Sequence, residues 1–352
     1  MKSWDAIVIG GGVIGLSIAL ELNKHNCKAL LVERGETGRE ASHAAGGMLA
    51  YCDPDFSDIV TPLALESVAL YPEFVRELQD ETSVHIDFRP DGTIFFPEEN
   101  EVPTRGEALS TDRLTELEPD LAAPGTGYLL PEACVDPRHL VQALARSLHH
   151  RGVDIVSGST VLAVETDSRN VKGVRTDKTF YPAPIAINCA GAWASQIAPI
   201  PFRTRPVKGQ MLSIVPAPGS PHFSLRHVVR DRHCYLIPRT DGKIAIGATV
   251  EEAGFDKQVV PEVIQNLHQR AANLFPALGE ARMLEAWAGL RPGTPDGLPM
   301  IGETSYRGYL AATGHFRDGI MLAPITAKII RQLVTGETPE MSLLPFSPER
   351  FA

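Results

Sequence analysis

Residues 10–15 of this 352-residue chain read Gly-Gly-Gly-Val-Ile-Gly, and no other segment constrains the fold as strongly. Residues 5–9, Asp-Ala-Ile-Val-Ile, precede them as a short apolar run. Such a run without alternation reads as a strand buried on both faces of a parallel sheet. Residues 16–25 continue as a helix. Strand, glycine turn and helix in that order are the setting that gives G-x-G-x-x-G its meaning. Gly10 permits the tight turn, Gly12 lets the backbone approach a pyrophosphate, and Gly15 lets the helix lie against the strand. Val13 and Ile14 lead into the helix N-terminus, whose free N–H groups and dipole favour phosphate. A second strand is expected over 28–32, and Glu33 follows it. An acidic side chain there accepts hydrogen bonds from ribose hydroxyls and repels a 2′-phosphate, which Arg34 alone does not reverse. The segment therefore predicts a bound dinucleotide, without choosing between FAD and NAD.

Length and charge set the outer limits. At about 150 residues per domain, the chain has room for roughly two domains. Net charge is −10, which disfavours broad nucleic-acid binding, because that needs a basic footprint. The charge does not exclude a small anionic substrate. The five cysteines, Cys27, Cys52, Cys134, Cys189 and Cys234, include no C-x-x-C pair. An odd count with that spacing implies neither a disulfide framework nor a zinc cluster, and no metal site is expected. A reducing cytoplasm is the default expectation. Residues 6–20 form the most apolar stretch, but four glycines interrupt it. It reads neither as a signal peptide nor as a span, which needs about 20 apolar residues.

Beyond the first turn the β-α alternation is broken. Residues 36–50 are small, polar and glycine-rich, as expected of a loop close to a ligand. Asp136-Pro137 predicts a helix N-terminus, with the helix running to about residue 151. Strands are expected over 153–156, 161–165, 171–175 and 185–188. From residue 207 the pattern turns antiparallel, with a hairpin of 234–239 and 243–249 around Asp241-Gly242. A helix is expected over 261–275. A strand over 308–312 and a helix over 319–335, capped by Asp318, return to the first style. Segments of a nucleotide domain thus alternate with antiparallel insertions.

Three polar residues stand out. Arg291, among turn formers and apolar residues, either pairs with a protein carboxylate or faces an anionic ligand bidentately. Arg317 precedes a helix N-terminus, where the dipole disfavours a cation; it is either solvated or placed for a ligand. Tyr235 is either a core aromatic or a hydroxyl donor to a ligand. The basic cluster Arg226, His227, Arg230 and Arg232 reads as a solvated strand edge, and His233 as structural or solvated.

Six blocks together resemble the glycine oxidase branch of the D-amino-acid oxidase family of flavoproteins. They are GGGVIG with Glu33, SHAAGGML (42–49), RPVKGQ (205–210), HCYLIPR (233–239), WAGLRPGTPDGLPMIG (287–302) and ATGHFRDGIMLAP (312–324). The resemblance spans nearly the whole chain. It implies an α/β fold, with a Rossmann-like FAD-binding domain (1–80, 138–203 and 286–352) interleaved with an antiparallel α+β substrate domain (81–137 and 204–285). It implies noncovalent FAD, and an amino acid held by its carboxylate through Arg291, Tyr235 and Arg317, with Met48 and Val250 beside it. It places FAD against Ala41, Ser42, Gly46, Gly47, Met48 and Val161. The segment His315, Phe316, Arg317, Asp318, Gly319, Ile320 and Met321 would wrap the flavin ring. The implied reaction is oxidative deamination of glycine, a small D-amino acid or a secondary amine, by hydride transfer from Cα to flavin N5, with O2 reduced to H2O2. A dehydrogenase passing electrons to a quinone is the alternative. Relatives with this pattern often serve thiamine synthesis and are often tetramers. Two departures bear on selectivity: Val250 stands where close relatives have methionine, and Asp318 where asparagine is frequent.

Overall fold

The computed structural model describes residues 3–99 and 101–351. A six-stranded sheet runs in the order Met300–Glu303, Tyr309–Thr313, Ile185–Asn188, Ala6–Ile9, Ala29–Val32, Asp154–Val156. All neighbours are parallel except the first pair, which is antiparallel. The first strand of the chain therefore lies inside the sheet, and its glycine turn opens at the C-terminal ends of the strands. That edge is where open α/β sheets bind ligands.

Side-chain alternation divides the first strand between two layers. Ala6 and Val8 pack with the helices Val13–Lys24, Thr61–Thr82, Pro137–His150 and Ala323–Thr335. Ile7 and Ile9 face the other way, against Val161, Val164, Val171 and Val174 of a three-stranded antiparallel sheet. The helix beginning at Pro137 starts as expected: Asp136 Oδ1 accepts from the N–H groups of Arg138 (2.8 Å) and His139 (3.3 Å). A side-chain cap of this kind is worth about 1 kcal/mol.

The second large sheet has eight strands and is antiparallel but for one pair. Tyr235–Pro238 and Ile244–Gly247 form the expected hairpin, with Gly242 at φ +83° in its turn. Helix Pro261–Leu274 buries Ile264, Leu267 and Leu274 against this sheet. A short sheet of Met48–Leu49, Ala133–Val135 and Phe88–Arg89 sits between the two.

Strand Arg282–Gly293 pairs with Arg205–Val215 along its whole length, from Arg205 opposite Gly293 to Val215 opposite Arg282. The chain therefore changes sheet after Gly293. The last helix begins at Ala323, with Leu322 at its N-cap and no side-chain cap. Residues 319–322 form turns. Pro324 gives the reason: in the first turn its missing N–H costs nothing, whereas in a helix begun at 319 it would remove an interior hydrogen bond. The N-cap thus lies four residues beyond Asp318, the residue expected to hold it.

Candidate active site

A cavity of about 780 Å³ runs from the glycine turn to the exposed mouth of the eight-stranded sheet. At the turn, absent side chains make the room. Gly10 takes φ +106°, and a Cβ there would lie 2.5 Å from the Cys189 carbonyl oxygen. A Cβ on Gly15 would lie 1.9 Å from the Gly10 carbonyl oxygen, so Gly15 serves the packing of helix on turn and does not line the cavity. Ser42 Oγ accepts the Val13 N–H at 2.9 Å. Among the described residues, the N–H groups of Gly12 and Ile14 have no protein acceptor. Glu33 is buried, and its two oxygens accept from the N–H groups of Gly11 (2.7 Å) and Gly35 (2.8 Å). Each oxygen keeps a lone pair for a hydroxyl. Arg34 pairs with Glu40 at 2.6 Å and lies 3.4 Å over the Trp193 ring. Open amides at a helix start, a carboxylate beside them and a long cavity beyond fit an adenine dinucleotide.

At the far end, strand register brings distant residues together. Tyr235 stands opposite Gly247, and Arg291 opposite Val207. A Cβ on Gly247 would lie 2.5 Å from the Tyr235 hydroxyl, and one on Gly209 2.3 Å from Arg291 Nη1. These two glycines are the floor on which the side chains lie. Arg291 Nη1 donates to the carbonyls of Thr249 (2.9 Å) and Lys208 (3.4 Å). Among the described residues, no carboxylate lies within ion-pair distance of Arg291 or Arg317. Burial pushes the Tyr235 hydroxyl pKa up, against the opposing pull of Arg291 and Arg317, so it remains a donor. Arg317 is exposed at the cavity wall, 5.3 Å over the Phe316 ring.

Most of the expected site residues line this one cavity. Ala41, Gly46, Gly47, Met48, Val161, His315, Asp318, Gly319, Ile320 and the half-exposed Val250 are all on its wall. Met321 is not: it is 1% exposed in the core, and its carbonyl accepts the Ser67 hydroxyl. His315 is buried, contacts Thr326 Oγ1 at 3.1 Å and is pushed by burial down to about 3, so it stays neutral. Burial lifts Asp318 to about 7, with Arg317 opposing and Asp53 adding to the rise.

The basic cluster is not a solvated edge. Arg230 is 6% exposed and binds both Glu132 oxygens at 3.1 Å, as well as Asp53. Arg232 pairs with Asp55 (3.1 Å) and Glu101, and His227 lies 2.7 Å from Glu118. Only Arg226 of the four is exposed. Removing one partner of a buried pair costs about 3–5 kcal/mol, because a charge is left behind. Arg230, read from the sequence as solvated, lines the cavity, as do Asp53 and Trp193, which no sequence signal used above points to. For Trp193 a signal existed, since Ala190-Gly191 after the strand at 185–188 repeats the strand-to-glycine turn.

The profile of a family described as FAD dependent oxidoreductase, DAO, matches residues 5–333. The chain is 35% identical over 99% of its length to the bifunctional protein ThiO/ThiG of Synechocystis sp., and spans about half (54%) of that relative. It is 34% identical over 97% of its length to the glycine oxidase of Pseudomonas aeruginosa, covering 98% of it. The crystal structure of glycine oxidase from Geobacillus kaustophilus matches at a TM-score of 0.92 and 31% identity, over 99% of both chains. Fold, cavity and relatives agree: the chain belongs to the DAO family of FAD-dependent oxidoreductases.

Proposed function

We propose that this chain oxidises the C–N bond of glycine, a small D-amino acid or a secondary amine such as sarcosine, with O2 as the electron acceptor and H2O2 as its product. The observation that carries this reading is the pair of Arg291 and Tyr235 over Gly209 and Gly247, with no carboxylate partner among the described residues. A guanidinium and a protonated phenol side by side match the two oxygens of one carboxylate. Arg317, on the same wall, adds a second cation.

FAD, when bound, supplies the acceptor for a hydride from the substrate Cα. The protein's part is orientation. Arg291 and Tyr235 fix the carboxylate, which leaves the Cα–H and amine to face the cavity. Fixing two reactants in this way removes several kcal/mol from the barrier without any base at Cα. Met48 and Val250 bound the space for the side chain or N-substituent. Glu33, Ser42 and the open amides at Gly12 and Ile14 hold the nucleotide.

The test is a panel of glycine, sarcosine and D- and L-amino acids, read as H2O2 release with a dye acceptor in parallel. Peroxide from glycine, sarcosine or a small D-amino acid supports the reading. Dye reduction without peroxide replaces O2 by another acceptor. No turnover of any amine with either acceptor overturns it.

A further inference from the structure

Arg239 follows the strand that carries Tyr235, and no role in the reaction has been given to it. Along that strand Tyr235 and Ile237 point to one face, and Arg239 continues the same alternation. The peptide of Gly46 lies on this face. A Cβ on Gly46 would meet Ile237 Cδ1 at 2.9 Å, Tyr235 Cε2 at 3.0 Å and the Tyr235 hydroxyl at 3.2 Å. Arg239 Nη2 donates to the Gly46 carbonyl at 2.6 Å.

The arginine is held there at some cost. Its side chain is 9% exposed, and its nearest carboxylate, Asp136, stands 3.7 Å from Nε. The other oxygen of Asp136, Oδ1, caps the helix that starts at Pro137. Arg239 Nη1 is buried without any hydrogen-bond partner among the described residues. At 3.7 Å the Asp136 carboxylate offsets the guanidinium only in part, so part of its field reaches the Gly46 peptide.

Peptide geometry gives the consequence. The Gly46–Gly47 bond is trans, so the Gly47 N–H points away from the carbonyl that Arg239 holds. The next carbonyl, of Gly47, is also engaged, accepting from Val135 N–H at 2.9 Å. The Gly47 N–H has no acceptor among the described residues, and Gly46 and Gly47 both line the cavity next to Tyr235.

We propose that Arg239 is a positioning residue: it clamps the Gly46 carbonyl and thereby aims the Gly47 N–H into the ring end of the cavity, with its own charge behind that peptide. Both effects favour negative charge gained at the ring on reduction. The inference rests on the chain being a FAD enzyme, and is independent of which amine it oxidises.

The test uses R239M and R239K, and no amine substrate. FAD affinity is read by fluorescence titration of the FAD-free chain, and the midpoint potential of the loaded protein by dye equilibration. R239M is expected to bind FAD about tenfold more weakly, through the loss of one charge-assisted hydrogen bond. Its two-electron equilibrium constant is expected to fall about tenfold, which is about 30 mV towards lower potential. R239K keeps the charge and restores most of the potential. If R239M does not fold, R239Q, which removes the charge and keeps an amide donor, must still lower the potential, and an unmoved potential in R239Q overturns the proposal. Parental affinity and potential in R239M overturn the proposal. So does weakened binding in R239M with an unmoved potential, because packing alone would give that result.

Discussion

At the glycine-turn end of the cavity, Gly10, Gly12, Glu33 and Ser42 all come from one stretch near the start of the chain. At the other end, Tyr235, Arg291 and Arg317 come from three separate segments, and two of them meet only because strands of one sheet are in register. The first end is shaped by missing side chains, with backbone amides left open. The second is shaped by large side chains laid over glycines. The difference teaches where tolerance lies. An added methyl group at the first end collides with backbone, whereas a lost group at the second removes a contact and leaves the fold standing.

Four substitutions probe that contrast, the largest effect first. Gly15→Ala puts a Cβ 1.9 Å from the Gly10 carbonyl oxygen and should all but abolish FAD retention, measured as flavin absorbance per chain. Parental retention would show that the turn is not the cradle. Arg291→Ala should leave FAD bound and raise KM roughly 100-fold, from about 3 kcal/mol of lost charged contact. An unchanged KM would remove Arg291 from the substrate site. Tyr235→Phe deletes one hydroxyl and should raise KM about tenfold in the same assay. A larger effect than that of Arg291→Ala would reverse their ranking.

The smallest effect concerns Asp318. In the FAD-free chain burial lifts its pKa from the ordinary 3.8 to about 7, between Arg317 and Asp53. The folded chain then holds a proton that the unfolded chain has released. The stability this gives is complete below about pH 4 and is lost as pH rises through 7. Asp318→Asn should therefore raise Tm by about 2 °C above pH 7. The gain should shrink towards zero below pH 4. A pH-independent difference would show that Asp318 does not titrate in this range.

The two ends also differed in how far the sequence revealed them. The glycine turn, Glu33 and the Asp136 cap were legible because each depends on residues close along the chain. Arg291, Tyr235 and Arg317 were ambiguous on their own surroundings and gained a role only through the family resemblance. The Arg230 cluster was misread because its partners, Asp53 and Glu132, lie 177 and 98 residues away. No local pattern encodes such a pair. The start of the last helix was misplaced although Pro324 marks it, because the Asp318-Gly319 pair mimics a cap.

The two carbonyls that hold Arg291 have a kinetic consequence. Carbonyls orient a guanidinium without neutralising it, so its full charge faces the cavity, inside a molecule of net charge −10. Beyond a Debye length of about 8 Å an approaching ion meets the molecule's overall negative field; within it, the arginine dominates. A zwitterion such as glycine carries no net charge and crosses the outer field without penalty, whereas a dicarboxylate meets weak repulsion there. Capture is therefore a short-range event, and the encounter rate with neutral amino acids should vary little with ionic strength.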